Sequence, residues 1–252
     1  MKKIFLFTPI LFLINFCVSA QFIESGEIEF EVKTNIKKTM GSSPWAEMMK
    51  DKLPNFKTSY FTYNFNKNKS IYKFNHWENK ESLPEMFRKS DEESTWFTDF
   101  NASQLIMQKD IFGSSFNVKD SLVKVVWKLS NENRIIAGYN CRKATGIIMD
   151  SVYVFAFYTD EITIPGGPCS INGLPGMILG LTIPRLYSSW IATKISVASN
   201  PALISEPAAL KNTFNMKTVY TTIIEKTKGW MGNEDDPESR KWLDQLIWNI
   251  ML

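Results

Sequence analysis

The chain has 252 residues, of which 44% are hydrophobic and 13% aromatic, and its formal net charge is +3. This composition supplies enough apolar side chains for a packed core and excludes an intrinsically disordered chain. Because the net charge falls to about +1 once Lys2 and Lys3 are removed, neither nucleic acid nor an anionic membrane surface is expected as the main partner.

The first twenty residues have the layout of a secretory signal peptide. Two lysines precede an apolar run over residues 4–18, and small residues then favour cleavage near Ala20. The run is shorter than the ~20 apolar residues of a membrane-spanning helix. We therefore predict a signal peptide at residues 1–20, one domain over residues 21–252, and a periplasmic or secreted protein that does not span the membrane.

Alternation of apolar and polar side chains dominates the chain, which is typical of half-buried antiparallel strands. Ile28, Phe30 and Val32 alternate with charged residues and predict the first strand. Residues 61–65 and 71–74 predict a hairpin around an Asn-rich turn. Further strands are predicted at residues 94–98, 103–108, 122–129, 134–136, 142–149, 153–159, 177–183 and 189–198, with turns at 131–133 and 150–151 and a loop over 198–213.

Helix signals are confined to two places. Ser43 is a good cap for a short helix that has Pro44 at its first position and ends before Pro54. Near the end of the chain, Asp236 caps a helix that begins at Pro237 and carries an apolar stripe at helical spacing. Together these patterns predict a mainly β fold. We expect a large curved antiparallel sheet or partly open barrel, with a short N-terminal helix and a C-terminal helix packed on it.

A segment rich in glycine and proline interrupts the strand pattern. Pro175 and Gly176 predict a type II turn that leads into a buried strand. Because such residues set backbone geometry and bring no acid, base or metal ligand, we interpret the segment as a structural motif. Its residues are Gly166, Pro168, Gly173, Leu174, Pro175, Gly176, Met177 and Ile178.

Residues 173–178 resemble the naming motif of the GLPGLI family of exported bacterial proteins, with a departure at Met177. Residues 127–144 and 156–162 are similar to the strands of that family, with Phe157 at a position where tryptophan is expected. The resemblance extends over most of the chain after the signal peptide. It implies an exported domain of the GLPGLI type and provides no catalytic residues to carry over.

Candidate chemical groups are few. His76 is the one histidine, and neither a Gly-x-Ser-x-Gly motif nor a cysteine-protease signature accompanies it. No metal-ligand spacing is present, so we predict no catalytic residue, no metal site and no cofactor. Two cysteines remain after export, Cys141 and Cys169. They form either a disulfide or two separately buried thiols.

Two aromatic and two basic side chains near the glycine-rich segment are a candidate binding surface. They are Trp127, Tyr139, Arg142 and Lys143. The alternative is that both aromatic rings belong to the core and that the basic side chains are ordinary strand residues with covered stems.

Three functional hypotheses follow. The first is an exported, non-catalytic binding or accessory protein of the Gram-negative cell envelope, with a protein partner such as an outer-membrane transport system. The second is a periplasmic carrier of lipid-like cargo, and the third is a hydrolase that uses dispersed carboxylates. The small number of catalytic groups favours the first hypothesis, and with it a protein that is not an enzyme.

Overall fold

The computed structural model describes residues 22–40, 44–111, 113–197, 204–207, 213–228 and 237–252. The predicted signal peptide with its cleavage site at Ala20, the caps Ser43 and Asp236, and most of the predicted loop 198–213 lie outside these residues. Those expectations, and the division into a signal peptide and one domain, stay predictions.

Twelve strands of the described residues form one sheet. They are β1 (Ser25–Thr34), β2 (Lys57–Asn66), β3 (Lys69–Trp77), β4 (Thr95–Asp99), β5 (Gln104–Ile111), β6 (Ser114–Ser121), β7 (Lys128–Ile136), β8 (Tyr139–Ile148), β9 (Val152–Thr159), β10 (Met177–Ile183), β11 (Ser188–Val197) and β12 (Thr213–Phe214). Their order across the sheet is β12-β6-β5-β4-β3-β2-β1-β11-β10-β9-β8-β7. Among these twelve strands only β12 and β6 pair in parallel, and the sheet does not close, because β12 and β7 remain as its two edges.

Strand β1 joins two meanders, β2 to β6 and β7 to β11. Its apolar residues Ile28 and Phe30 are fully buried. They lie opposite Tyr63 and Phe61 of β2, and the other edge of β1 pairs with β11. The residues that alternate in the sequence therefore form a strand, and its pairing with β2 and β11 puts it in the middle of the sheet.

Five α-helices and three short 3-10 helices of the described residues accompany the sheet. The 3-10 helices are Lys80–Ser82, Glu85–Phe87 and Pro184–Leu186. The α-helices are α1 (Ile36–Thr39), α2 (Pro44–Lys50), α3 (Lys89–Glu92), α4 (Met216–Thr227) and α5 (Pro237–Met251). Helix α4 begins after Asn215, whose side-chain oxygen accepts a hydrogen bond of 2.8 Å from the backbone N–H of Thr218. No helix in the described ranges is long and apolar enough to cross a lipid bilayer.

Helix α5 contacts both halves of the sheet. The side-chain amide of Gln245 donates a 2.9 Å hydrogen bond to the carbonyl oxygen of Arg185, in the turn between β10 and β11. Beyond the helix, the carbonyl oxygen of Leu252 accepts a 2.9 Å bond from the indole N–H of Trp96 on β4. The C-terminal helix therefore packs on the sheet and covers the region between β4 and the β10–β11 turn.

The mainly β prediction is confirmed, including a short N-terminal helix and the C-terminal helix. The strand predicted at residues 122–129 was wrong, because residues 122–127 form no ladder. The turn predicted at residues 131–133 lies inside β7, where the register shifts between Leu129 and Asn133. Alternation missed β6, which has only two apolar side chains, both buried, and α4, whose many β-branched residues have poor helix propensity.

Candidate functional site

A cavity of about 340 Å³ lies where α5 covers the sheet. Its walls come from β1 to β5, β11, the first and third helices and the end of α5. The volume is at the lower end of the ~300–1,000 Å³ typical of small-molecule sites. Its lining is largely apolar and aromatic, with a few polar and charged side chains.

Lys109 of β5 is the buried cation of this cavity, with only 7% of the residue exposed. Its Nζ donates a 2.6 Å hydrogen bond to the carbonyl oxygen of Asn249 in α5 and lies 3.5 Å from that of Ile250. It also lies 5.4 Å from the ring centroid of Trp96. Burial lowers the pKa of Lys109 below its usual value, because desolvation penalises the ammonium form.

An ion pair forms a second part of the wall. Nζ of Lys57, on β2, lies 2.8 Å from a carboxylate oxygen of Asp91, on α3. Both side chains are about four-fifths buried, so the pair is less screened than an exposed one. Asp91 is the one carboxylate among the described residues that line the cavity.

Cys169, Tyr72 and Trp190 complete the wall between the two halves of the sheet. Burial raises the pKa of the Cys169 thiol to about 12, although the charge of Lys109 acts in the opposite direction. Burial likewise raises the pKa of Tyr72 well above its usual value. Both groups are therefore neutral near pH 7, and Cys169 is not poised to act as a thiolate nucleophile.

The arrangement can hold a small ligand and supply one acid–base group. Trp96 and Trp190 offer apolar ring surface, Lys57 and Lys109 offer N–H donors, and Asp91 can accept or donate a proton. His76 lies outside the cavity, where its ring stacks on Tyr60 with centroids 4.5 Å apart. Within the described ranges, no three His, Cys, Asp or Glu side chains converge as a metal site.

The glycine-rich segment shapes one wall of the cavity through Cys169. Gly173 has φ +92° and Gly176 has φ +146°, backbone angles that favour glycine. The turn at Pro175 and Gly176 does not have the hydrogen bond of the predicted type II turn. The carbonyl oxygen of Leu174 accepts from the N–H of Gly176 at 2.8 Å, which closes a three-residue turn around Pro175.

The other motif residues continue this structural role. The N–H of Met177 donates to the carbonyl oxygen of Ile162, and the N–H of Ile178 donates to that of Gly166. Met177 and Ile178 open β10, and both are fully buried. Pro168 is also buried, one residue before Cys169. These contacts attach the start of β10 to the preceding loop.

The four residues of the candidate binding surface lie near the β7 edge of the sheet, away from the cavity. The indole N–H of Trp127 donates to the carbonyl oxygen of Asn172 at 3.0 Å, which links it to the glycine-rich segment. Arg142 donates to a backbone oxygen of β7, Lys143 forms an ion pair with Glu132, and Tyr139 is half-buried. Their role as a binding surface stays a prediction.

Cys141 and Cys169 are two free, buried thiols in the structure. This corresponds to the second of the two alternatives considered for the cysteines. Cys141 lies on β8 and packs in the core, and burial raises the pKa of its thiol to about 11.

The charged residues of the cavity were not among the predicted site residues. A signal was present in β5, where Lys109 and Asp110 stand side by side in a mostly buried strand. Two adjacent charges at buried positions are unusual in an ordinary strand. Asp91 and Trp190 had no such signal in the sequence, because these two residues come close together only when distant strands pair.

Comparison with known proteins gives a family and a fold. One family model, described as N-glycanase peptide, N-terminal domain, matches residues 50–198, more than half of the chain. Solved structures of PNGF-II in two crystal forms are 14% identical to the chain and cover 81% of it, with a TM-score of 0.51. The chain spans about a third of those proteins, 34% and 33% of their lengths. No curated protein matches the chain.

These matches correct the resemblance inferred from residues 173–178. The family model and the solved structures point to PNGase F-II and not to the GLPGLI family. The hexapeptide misled because its glycines and proline are required by local backbone geometry, above all the positive φ of Gly176. A short turn motif of this kind reports a turn and not common descent.

The matches also correct the functional hypotheses. A non-catalytic accessory protein of the envelope, a carrier of lipid-like cargo and the prediction that the protein is not an enzyme all conflict with a family named for an N-glycanase. A small number of catalytic motifs does not exclude an enzyme, because enzymes bring acid–base groups together through the fold. These groups need no recognisable spacing in sequence.

Proposed function

The chain belongs to the family of N-glycanase N-terminal domains, and we propose that it acts in the hydrolytic removal of N-linked glycans. The cavity under α5 is the place where the glycan-bearing substrate is held. The observation that carries this proposal is the overlap between the family match and the cavity. Residues 50–198 include Lys57, Asp91, Lys109, Cys169 and Trp190 of its wall.

The chemistry of the cavity suits a sugar. Carbohydrate rings present apolar C–H faces and hydroxyl groups together, so a site for them combines aromatic surface with a few polar groups. Trp96 and Trp190 supply the first, and Lys57, Asp91 and the hydroxyl of Tyr72 supply the second. In a hydrolysis, Asp91 would accept a proton from the attacking water as its oxygen bonds to the amide carbon, and would return that proton to the departing nitrogen as the C–N bond breaks. Lys57 keeps the carboxylate of Asp91 in position.

Glycan release from an N-glycosylated protein tests the proposal. The purified chain is incubated in excess with the glycoprotein, and mass spectrometry follows the loss of glycan mass. We expect release by the wild type and at least about tenfold slower release by Asp91→Asn. The matched control is Glu132→Gln, which also removes one carboxylate from a lysine ion pair but lies far from the cavity.

The control variant should release glycan at the wild-type rate. Absence of release by the wild type from both native and denatured glycoprotein would contradict the proposal. Equal loss of activity in Asp91→Asn and Glu132→Gln would contradict the assignment of Asp91.

We also propose that the protein is exported. The support is the layout of residues 1–20, and an extracytoplasmic position suits an enzyme that meets glycoproteins outside the cell. N-terminal sequencing of the protein from its native host should give a mature chain that begins near Gln21. A chain that retains Met1 would contradict the export proposal. An envelope partner stays a prediction.

A further inference from the structure

The cavity opens on one side. Among the described residues that line it, only Met86 and Asn249 are exposed, and 64% of Met86 is accessible. Met86 belongs to the 3-10 helix Glu85–Phe87, and Asn249 lies in the last turn of α5. The mouth of the cavity therefore lies between this 3-10 helix and the end of helix α5.

The opposite end of the cavity, its closed end, is formed by Tyr72, Trp96, Cys169 and Trp190. Each of these residues is at most 8% exposed, and all four belong to the main hydrophobic core. Because a protein interior is close-packed, it leaves no second passage wide enough for a sugar. Within the described part of the chain, a ligand of that size therefore enters and leaves through the mouth.

Asp91 lies towards the mouth. It follows Met86 closely in the chain, on α3, and 23% of its side chain is exposed. Nζ of Lys57 holds its carboxylate in this position at 2.8 Å. The bond on which Asp91 is proposed to act therefore lies near the mouth, and a sugar ring attached to that bond extends towards the closed end.

The volume of the cavity limits the length of the glycan. About 340 Å³ accommodates one sugar ring with a substituent. Trp96 and Trp190 border this volume at the closed end, so a second sugar on the far side of the first would overlap them. One sugar fills the cavity while the polypeptide leaves through the mouth, and a longer glycan fits only by displacing packed side chains.

We propose that the preferred substrate is a protein that carries a single N-linked sugar, with the sugar ring inside the cavity and the polypeptide outside its mouth. The inference deepens the proposed function and rests on it for the position of the reacting bond. Such a substrate is produced by an endo-acting glycosidase, which cleaves the bond between the first and second sugars of an N-linked glycan. That class of reaction therefore supplies the substrate.

The hydrolysis itself is unchanged by the length of the glycan. The C–N bond of the side-chain amide breaks, and the oxygen of water enters the new carboxyl group, which converts asparagine to aspartate. The hydrogens of water leave with the carboxyl group and with the amino group of the released sugar. A longer glycan should be released by the same reaction but more slowly.

Calorimetric titration of the full chain with two isomeric sugars tests the orientation in the cavity without any need for hydrolysis. The first is the benzyl β-glycoside of N-acetylglucosamine, whose benzyl group replaces the polypeptide at C1. The second is 4-O-benzyl-N-acetylglucosamine, whose benzyl group replaces the next sugar at O4. We expect the benzyl glycoside to bind at least about tenfold more tightly, because only its substituent can leave through the mouth.

Two variants assign this binding to the cavity. Trp190→Phe reduces the ring surface at the closed end and should weaken binding of the benzyl glycoside at least about threefold. Trp248→Phe is the matched control, because the ring of Trp248 packs against Arg185 and is not part of the described cavity wall. It should bind the benzyl glycoside as the wild type does.

Hydrolysis of two glycopeptides tests the preference for a single sugar. Both have the same peptide, and the asparagine carries either one N-acetylglucosamine or two in β-1,4 linkage. Mass spectrometry follows the loss of sugar and the conversion of asparagine to aspartate. We expect the wild type to release the single sugar at least about tenfold faster than the disaccharide.

The outcomes separate this inference from the proposed function. Equal affinity for the two benzyl sugars, or binding of neither up to their solubility limits, would overturn the inference, as would equal weakening in Trp190→Phe and Trp248→Phe. Release of the disaccharide as fast as the single sugar would overturn it and leave the hydrolytic role intact. A clear preference for the benzyl glycoside without release from either glycopeptide would support the orientation in the cavity and contradict the hydrolytic role.

Discussion

Replacement of Gly176 by alanine combines backbone strain with a steric overlap. Gly176 has φ +146°, a region that residues with a side chain avoid. A Cβ atom added to it would overlap the carbonyl oxygen of Thr159 and lie 2.9 Å from the Cα of Asp160. Both contacts are with backbone, so no flexible side chain can move aside to relieve them.

The strain and the overlap together set how far Gly176→Ala lowers the free energy of unfolding. An unfavourable φ destabilises the folded state by about 1–3 kcal/mol, and forced displacement of packed groups adds about 1–3 kcal/mol. We therefore expect Gly176→Ala to lower the free energy of unfolding by at least about 3 kcal/mol. For a domain of this size that corresponds to a fall in Tm of about 6–12 °C.

Gly138→Ala is the matched control. Gly138, in the turn between β7 and β8, has φ +88°, and no atom outside Gly138 and its two chain neighbours lies within 4 Å of the position that a Cβ would take. Gly138→Ala has the backbone strain without the steric overlap, so it should lower the free energy of unfolding by about 1–2 kcal/mol. Urea denaturation followed by circular dichroism measures both variants. A loss of unfolding free energy for Gly176→Ala no larger than the loss for Gly138→Ala would refute the steric argument.

The remaining predictions concern a helix cap, a half-buried indole and the thiols. Asn215→Ala should lower the free energy of unfolding by about 1 kcal/mol in urea, because α4 loses its side-chain cap, and an unchanged midpoint would refute this. Trp127→Phe should lower the free energy of unfolding by about 1 kcal/mol, since the carbonyl of Asn172 loses the indole N–H that donates to it at 3.0 Å. An unchanged free energy of unfolding in urea would contradict this. Cys141 and Cys169, with pKa values of about 11 and 12, should react slowly with a thiol reagent near pH 8 in the folded protein and rapidly in denaturant. Absence of reaction in denaturant without reductant would indicate a disulfide.

Much of the sheet could be predicted because strand patterns are local. Ile28 and Phe30 of β1 alternate with charged residues, and both are fully buried. The same logic failed over residues 122–129, where apolar residues lie along a segment that pairs with no strand before β7 begins at Lys128. The prediction also failed at β6, whose apolar pattern is too short to indicate a strand. This segment forms a strand because it pairs with β5.

The candidate site depended on contacts that no local pattern contains. Lys109 and Asn249 meet across a sequence separation of 140 residues. Asp91 and Trp190 reach the same cavity from a short helix and from β11. The glycine-rich segment had the strongest local signal, yet it contributes the shape of one wall and carries no charged group of the cavity.

The sequence by itself determined most of the segments that become strands, where the C-terminal helix begins, and why glycine is needed at position 176. Each of these follows from the conformational preferences and side-chain period of a few neighbouring residues. The tertiary structure alone decided that β1 lies between β2 and β11, and that α5 closes a cavity over Lys109. Pairing of distant strands and burial of a charge depend on the packing of the whole chain, which no short stretch of residues specifies.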